Sequence, residues 1–165
     1  MRFHTSIHRH TFDTPLGGML LATTERGVAG LWFEGQKHLP DFQNWPIQAH
    51  AKWMQQAQQE VTEYFAGERQ TFDVPLDLEG GTAFQQSVWR TLLGIAWGTS
   101  LSYGQVSQRL HRPLAVRAVA NAVGRNPVSL IVPCHRVLGA DQSLTGYAGG
   151  LDRKRDLLMR EGVLQ

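Results

Sequence analysis

The sequence predicts an α/β N-terminal domain, a small antiparallel sheet plus one helix, followed by a mostly α C-terminal domain with a helix-turn-helix. Three observations predict it. Short β-rich runs broken by turn signals fill the first third of the chain, and helical periodicity with capping signals takes over after Gly81. The charge also changes sign between the halves: residues 1–81 hold six Lys/Arg against ten Asp/Glu, and residues 82–165 hold ten against four. The whole-chain net charge of +2 conceals this, and a basic half suggests a face for nucleic acid. With Leu76–Gly81 as a linker and Gly80-Gly81 as the boundary, the expected domains are 1–80, an α/β support domain, and 81–165, a helical one.

In the first domain, His4–Phe12, Met19–Thr24 and Val28–Phe33 read as strands. Asp13-Thr14-Pro15-Leu16-Gly17-Gly18 punctuates the first turn and Glu25-Arg26-Gly27 the second. His4, His8 and His10 alternate along one strand face, yet no carboxylate or thiol joins them at ligand spacing, so no metal is expected. Residues 36–47, with Pro40 and Pro46, should be irregular. Gln48–Ala66 then reads as a helix through Trp53, Ala57, Val61, Tyr64 and Phe65, ended by Gly67. Thr71–Val74 is a further candidate strand.

The second domain opens on Thr82-Ala83-Phe84-Gln85, a capping box for a helix to about Leu93 that buries Phe84, Val88 and Leu92. Ser102-Tyr103-Gly104-Gln105 repeats the pattern for a short helix to Leu110. His111-Arg112-Pro113 turns the chain, with Pro113 expected in the first turn of a helix over Leu114–Val123 that Gly124 ends. Two short helices around a tight turn suggest a helix-turn-helix. On the second of them Arg117, Asn121 and Arg125 form a polar stripe, while Val116, Val119, Ala120 and Val123 should face inward. Ala115, Ala118 and Ala122 flank the arginines with little bulk, so this helix can approach a grooved surface closely. Together these features point to DNA binding.

The chemistry lies further on, in Leu130-Ile131-Val132-Pro133-Cys134-His135-Arg136-Val137. An apolar run stops at a proline, and the only cysteine of the chain follows, beside a histidine and an arginine. Nearby positive charge lowers a thiol pKa, and His135 can accept the proton directly or through water. Asn126, extended by the proline after it, can bond to backbone on both sides of its turn. Leu151–Arg160 reads as a basic helix closed by Glu161, whose carboxylate lies near the core-facing side and needs a partner. Glu161–His135–Cys134 is therefore a plausible relay. Between them, small residues surround Tyr147, which could wall a planar ligand. A single cysteine rules out an internal disulfide, and no apolar run is long enough to span a membrane. The N-terminus lacks the apolar core of a signal peptide, so a cytoplasmic, reducing setting is expected.

Pro133-Cys134-His135-Arg136-Val137, Asn126-Pro127-Val128 and Ala115-Val116-Arg117-Ala118-Val119 together resemble the O6-alkylguanine-DNA alkyltransferase family, the methylated-DNA–protein-cysteine methyltransferases. Ser102-Tyr103-Gly104-Gln105, Gly146-Tyr147-Ala148-Gly149-Gly150 and Leu157-Leu158-Met159-Arg160-Glu161-Gly162 match as well. The resemblance implies a ribonuclease-H-like N-terminal domain and a winged-helix-like C-terminal one. It implies that Cys134 takes the alkyl group from O6-alkylguanine in duplex DNA, with O4-alkylthymine a further candidate, and that the protein is consumed, without a cofactor. It makes Cys134, His135, Glu161 and Asn126 the catalytic set. Arg117 matches a finger that fills the gap left by a flipped nucleotide, and Tyr103 a residue that crowds the phosphate and bonds the base. Ser102, Ala118, Asn121 and Arg125 join them as DNA contacts; Tyr103, Val137, Tyr147, Ala148 and Gly149 line the base pocket. Ala148 stands where some relatives carry serine, so a backbone N–H must serve guanine O6. The expected partner is double-stranded DNA containing O6-alkylguanine, bound by a nucleoid-associated monomer. A non-catalytic lesion-binding or regulatory helix-turn-helix protein is the alternative; relatives of that type replace the cysteine that this chain keeps. A cysteine hydrolase is a third reading, distinguished by turnover.

Overall fold

In the structure, a computed structural model describing residues 1–3 and 6–165, the chain divides into units Met1–Gly81 and Thr82–Gln165. Strands β1 (His8–Thr14), β2 (Gly17–Thr23) and β3 (Val28–Phe33) form an antiparallel sheet in the order β1-β2-β3. His8 pairs with Thr23 and Thr14 with Gly17, so the Pro15-Leu16 corner is a tight hairpin. The His4 end of the expected first strand lies outside the described residues. Every residue of β3 is buried, which is why that strand reads as a continuous apolar run. Ile7, Leu20, Ala22, Ala29 and Trp32 form a buried cluster capped by Phe3, Leu39, Phe42 and Trp45, while helix α1 (Met54–Ala66) lies against β1 and β2. Gly30 is obligatory: a Cβ there would sit 1.8 Å from the Trp32 ring.

Two sequence expectations fail in this unit. Helix α1 starts at Met54 rather than Gln48, because Trp53 adopts a left-handed φ of 68° and breaks the helical path before it. Its other end is as expected, with Gly67 at φ 80° donating back to Glu63 and Tyr64. Thr71–Val74 forms no strand. The backbone N–H groups of Asp73 and Val74 donate to the buried carboxylate of Glu60 instead, at 2.9 and 3.1 Å, and the chain then touches the sheet through one parallel bridge, Val28 to Leu76.

The second unit is built on α2 (Ala83–Leu92), α3 (Tyr103–Arg109), α4 (Val116–Gly124) and α5 (Leu151–Arg160). Both expected capping boxes are present, Thr82 with Gln85 and Ser102 with Gln105. Helix α4 packs on α2 and α3, burying Val119, Ala122 and Val123, and Ala122 also accepts the Trp89 indole N–H at 2.8 Å. The inward stripe is thus rotated from expectation: Val116 is 38% exposed and Ala122 is buried. Pro113 lies in the turn rather than in the helix, which starts three residues later, after Ala115. A two-residue parallel pairing of β4 (Leu101–Ser102) with β5 (Val137–Leu138) was not legible in the sequence; it sets the start of α3 beside the cysteine segment. No helix among the described residues is long and apolar enough to cross a membrane.

Candidate active site

The apolar run before the cysteine is a chain of turns, and every residue from Asn126 to Leu138 is buried. Buried turns leave backbone groups without a ladder, and Asn126 supplies what is missing. Its amide N–H group donates to the Val132 carbonyl at 2.8 Å and more weakly to Val128, while its carbonyl oxygen accepts the Val128 N–H at 2.9 Å. The same Nδ2 lies 3.0 Å from Cys134 Sγ. Leu130 is held at φ 76°, a costly conformation for leucine, inside the loop that Asn126 ties together. Pro133 then leads into one 3-10 turn, Cys134–Arg136, which places three reactive or charged side chains in a row.

Cys134 is 5% exposed. Burial pushes its thiol above the ordinary value; the Asn126 hydrogen bond and the Lys154 charge offset this only in part. The expectation that positive neighbours would depress this thiol is therefore corrected: desolvation outweighs them, and the resting sulfur is protonated. The Asn126 amide nonetheless gives it a polar contact.

His135 is fully buried, with Nε2 2.8 Å from Glu161 Oε1. Burial holds the imidazole below its usual value despite the pull of Glu161, so the ring is neutral at pH 7. A neutral ring beside a carboxylate carries its proton on Nε2, an assignment made from this pairing. Nδ1 then keeps its lone pair, and it is buried with no hydrogen-bond partner among the described residues. Glu161 also accepts from Arg136, Nε to Oε2 at 2.7 Å and Nη2 to Oε1 at 3.0 Å, while Arg136 Nη1 donates to the Ile95 carbonyl. Burial alone would raise the Glu161 carboxyl, but its bonds with His135 and Arg136 prevail and hold it at about 2. The carboxylate is thus fixed, charged and aimed at the histidine.

Lys154 is the residue that sequence reasoning passed over, as one basic residue among several on a helix. It is 0% exposed, and its ammonium donates to the carbonyls of Val137 at 2.6 Å, Thr145 at 2.9 Å and Gly146 at 3.3 Å. Burial lowers its pKa to about 8. The signal was present: Lys154 is three residues from Leu157 and four from Leu158, on the face the helix buries. Tyr103 also donates to Thr145, at 3.2 Å, and burial raises its phenol pKa. Lys154 and Tyr103 therefore converge on the loop that carries Tyr147, Ala148 and Gly149. Val137 and Gly149 are buried, Tyr147 and Ala148 half-buried.

On α4 and at its end, Arg117, Ala118, Asn121 and Arg125 are exposed. Arg117, Ala118 and Asn121 line a shallow groove of about 620 Å³ together with Thr82, Phe84 and Leu114. Ser102 is half-buried and caps α3 through its hydroxyl, which accepts the Gln105 N–H. One unit therefore holds a neutral buried imidazole, a buried thiol next to it in sequence and a helix with an exposed arginine, Arg117.

Known proteins resemble the chain over both of its units. Residues 83–163 match the DNA binding domain of 6-O-methylguanine DNA methyltransferase, and residues 7–78 match its ribonuclease-like domain. The chain is 44% identical over 155 residues to the methylated-DNA–protein-cysteine methyltransferase of Mycobacterium bovis, covering 94% of this chain and 92% of the relative. It is 39% identical over 160 residues to that of Haemophilus influenzae, covering 96% and 88%. Among solved structures it resembles Mycobacterium tuberculosis OGT in complex with DNA, with a TM-score of 0.86, 42% identity, and coverage of 94% of this chain and 92% of that one.

Proposed function

The chain belongs to the 6-O-methylguanine DNA methyltransferase family, and from that premise we infer that it repairs DNA by moving the alkyl group of O6-alkylguanine in duplex DNA onto Cys134. The observation that supports the residue assignment is that Cys134 and His135, adjacent in one buried turn, are held by the Asn126 amide and the Glu161 carboxylate respectively. His135 Nδ1 takes the thiol proton through a bridging water, and Glu161 steadies the imidazolium that results. The sulfur anion, held by the Asn126 amide, attacks the alkyl carbon in line. The carbon–oxygen bond breaks, its electron pair stays on guanine O6, and a proton returned to the base completes the exchange. The product is a thioether on Cys134 and an unmodified guanine. No cofactor enters this exchange.

A guanine in a duplex is out of reach of a buried sulfur, so the nucleotide must leave the stack at a cost of a few kcal/mol. Arg117 fills the gap left behind, and Ala118 with the small residues around it lets α4 come close to the minor groove. Ser102, Asn121 and Arg125 hold the flanking backbone. Tyr103, Val137, Tyr147, Ala148 and Gly149 enclose the base, with a backbone N–H in the Ala148–Gly149 stretch facing O6. The protein acts as a monomer, in the cytoplasm and on the nucleoid. The test is stoichiometry: with an excess of duplex carrying isotopically labelled O6-methylguanine, transfer stops at one methyl per protein. Continued turnover would indicate a hydrolase instead.

A further inference from the structure

Leu114 is 100% exposed, and it is not alone: the groove it lines is largely apolar, with Phe84, Ala115, Ala118 and Ala122 beside one arginine, Arg117. It stands in the turn before α4, one residue ahead of Ala115, on the same groove as Arg117, Ala118 and Asn121. Arg112 lies nearby in sequence with its guanidinium 5.8 Å from the Phe84 ring, and Phe84 lines the same groove. A leucine has no polar atom with which to read a base edge or hold a phosphate. What it can cover is hydrocarbon, and on a duplex approached by arginines the available hydrocarbon is the deoxyribose wall of the minor groove.

We propose that Leu114 is an apolar anchor for duplex DNA, packing on the deoxyribose faces of the minor groove beside the nucleotide that Arg117 displaces. The charge at the groove selects the occupant: Arg117 lines it, the Arg112 guanidinium lies over its Phe84 ring, and Ala115 and Ala118 leave space for close approach. Leu114 lies within one turn of Arg117, so it falls on the neighbouring sugar rather than in the vacated gap. The contact adds affinity that does not depend on salt, beside the arginine contacts that do.

The inference rests on the repair reading above, and the experiment separates the two. Affinity for undamaged duplex is measured across a salt series for the wild type, Leu114→Ala and Leu114→Met, together with the rate of alkylation by the free base O6-benzylguanine. The anchor predicts that Leu114→Ala weakens duplex binding about five- to tenfold at every salt concentration, with the slope of log K against log salt unchanged. Leu114→Met retains wild-type affinity, and the free-base rate is the same in all three. Wild-type affinity in Leu114→Ala, or an equal loss on the free base, overturns the anchor while leaving the repair reading intact. A wild type that binds duplex but takes no methyl group from a matching duplex carrying O6-methylguanine overturns the repair reading itself.

Discussion

At the scale of single residues, the chemistry depends on which charge state burial favours. His135 is kept neutral and Cys134 protonated by the same desolvation, so the sulfur is armed by proton transfer rather than by a standing charge. His135→Gln should therefore slow transfer from duplex by about 10²-fold or more at neutral pH, with DNA affinity unchanged. Part of the loss should return as the pH rises, because hydroxide then does the work of the missing base. Single-turnover rates across pH measure this; a variant whose rate is flat with pH would mean that the thiolate exists at rest. Glu161 makes a second prediction. Its carboxyl sits at about 2 when folded, below the ordinary carboxylate value of about 4.3. A depressed acid stabilises the fold in full above its unfolded pKa, and the contribution fades as the pH falls toward the folded one. The stability gap between wild type and Glu161→Gln, read by urea unfolding, should be constant above about pH 5 and shrink toward pH 2. Cys134, His135 and Asn126 stood out because they flank one proline-ended apolar run, and Glu161 because a carboxylate on the core-facing side of a helix end needs a partner; the structure pairs Asn126 with Cys134 and His135 with Glu161. The direction of the thiol shift was not legible, since adjacency in sequence shows charge but not burial.

At the scale of elements, what matters is how short pieces are cross-tied. The capping boxes and Gly67 could be read directly because they are local patterns. Helix α1 began late because the handedness of Trp53 is set by its surroundings, and the Thr71–Val74 strand was lost to a carboxylate thirteen and fourteen residues away in sequence. Lys154 belongs to the same class of distant ties: it joins α5 to β5 and to the Thr145–Gly146 loop. Lys154→Met removes the ammonium that ties three carbonyls together, of which Val137 is buried and Thr145 keeps the Tyr103 hydroxyl, and should cost about 1–3 kcal/mol in urea unfolding. It should also slow transfer from the free base as well as from duplex, since the pocket wall itself loosens. Unchanged stability would remove Lys154 from that role. Helix α4 predicts the opposite pattern. Arg117→Ala should lower transfer from duplex more than tenfold while leaving the free-base rate within about twofold, because only a duplex has a gap to fill. Equal losses on both substrates would deny Arg117 that part.

At the scale of the whole molecule, the acidic and basic halves of the chain coincide with its two units, and Cys134, His135 and Glu161 all lie in the second. A small set of exposed arginines implies few phosphate contacts, so log affinity should fall with log salt at a slope of about −3 rather than the steep value of a large footprint. A markedly steeper slope, measured on undamaged duplex, would require contacts beyond α4 and its flanks. The central claim is that the buried sulfur of Cys134 is the acceptor. Intact mass of the protein after mixing with a duplex containing one O6-methylguanine, followed by peptide mapping, tests it most directly. One methyl group on the peptide bearing Cys134, and none on Cys134→Ser, is the predicted result; an unmodified wild-type protein, or a methyl group on any other residue, would contradict it.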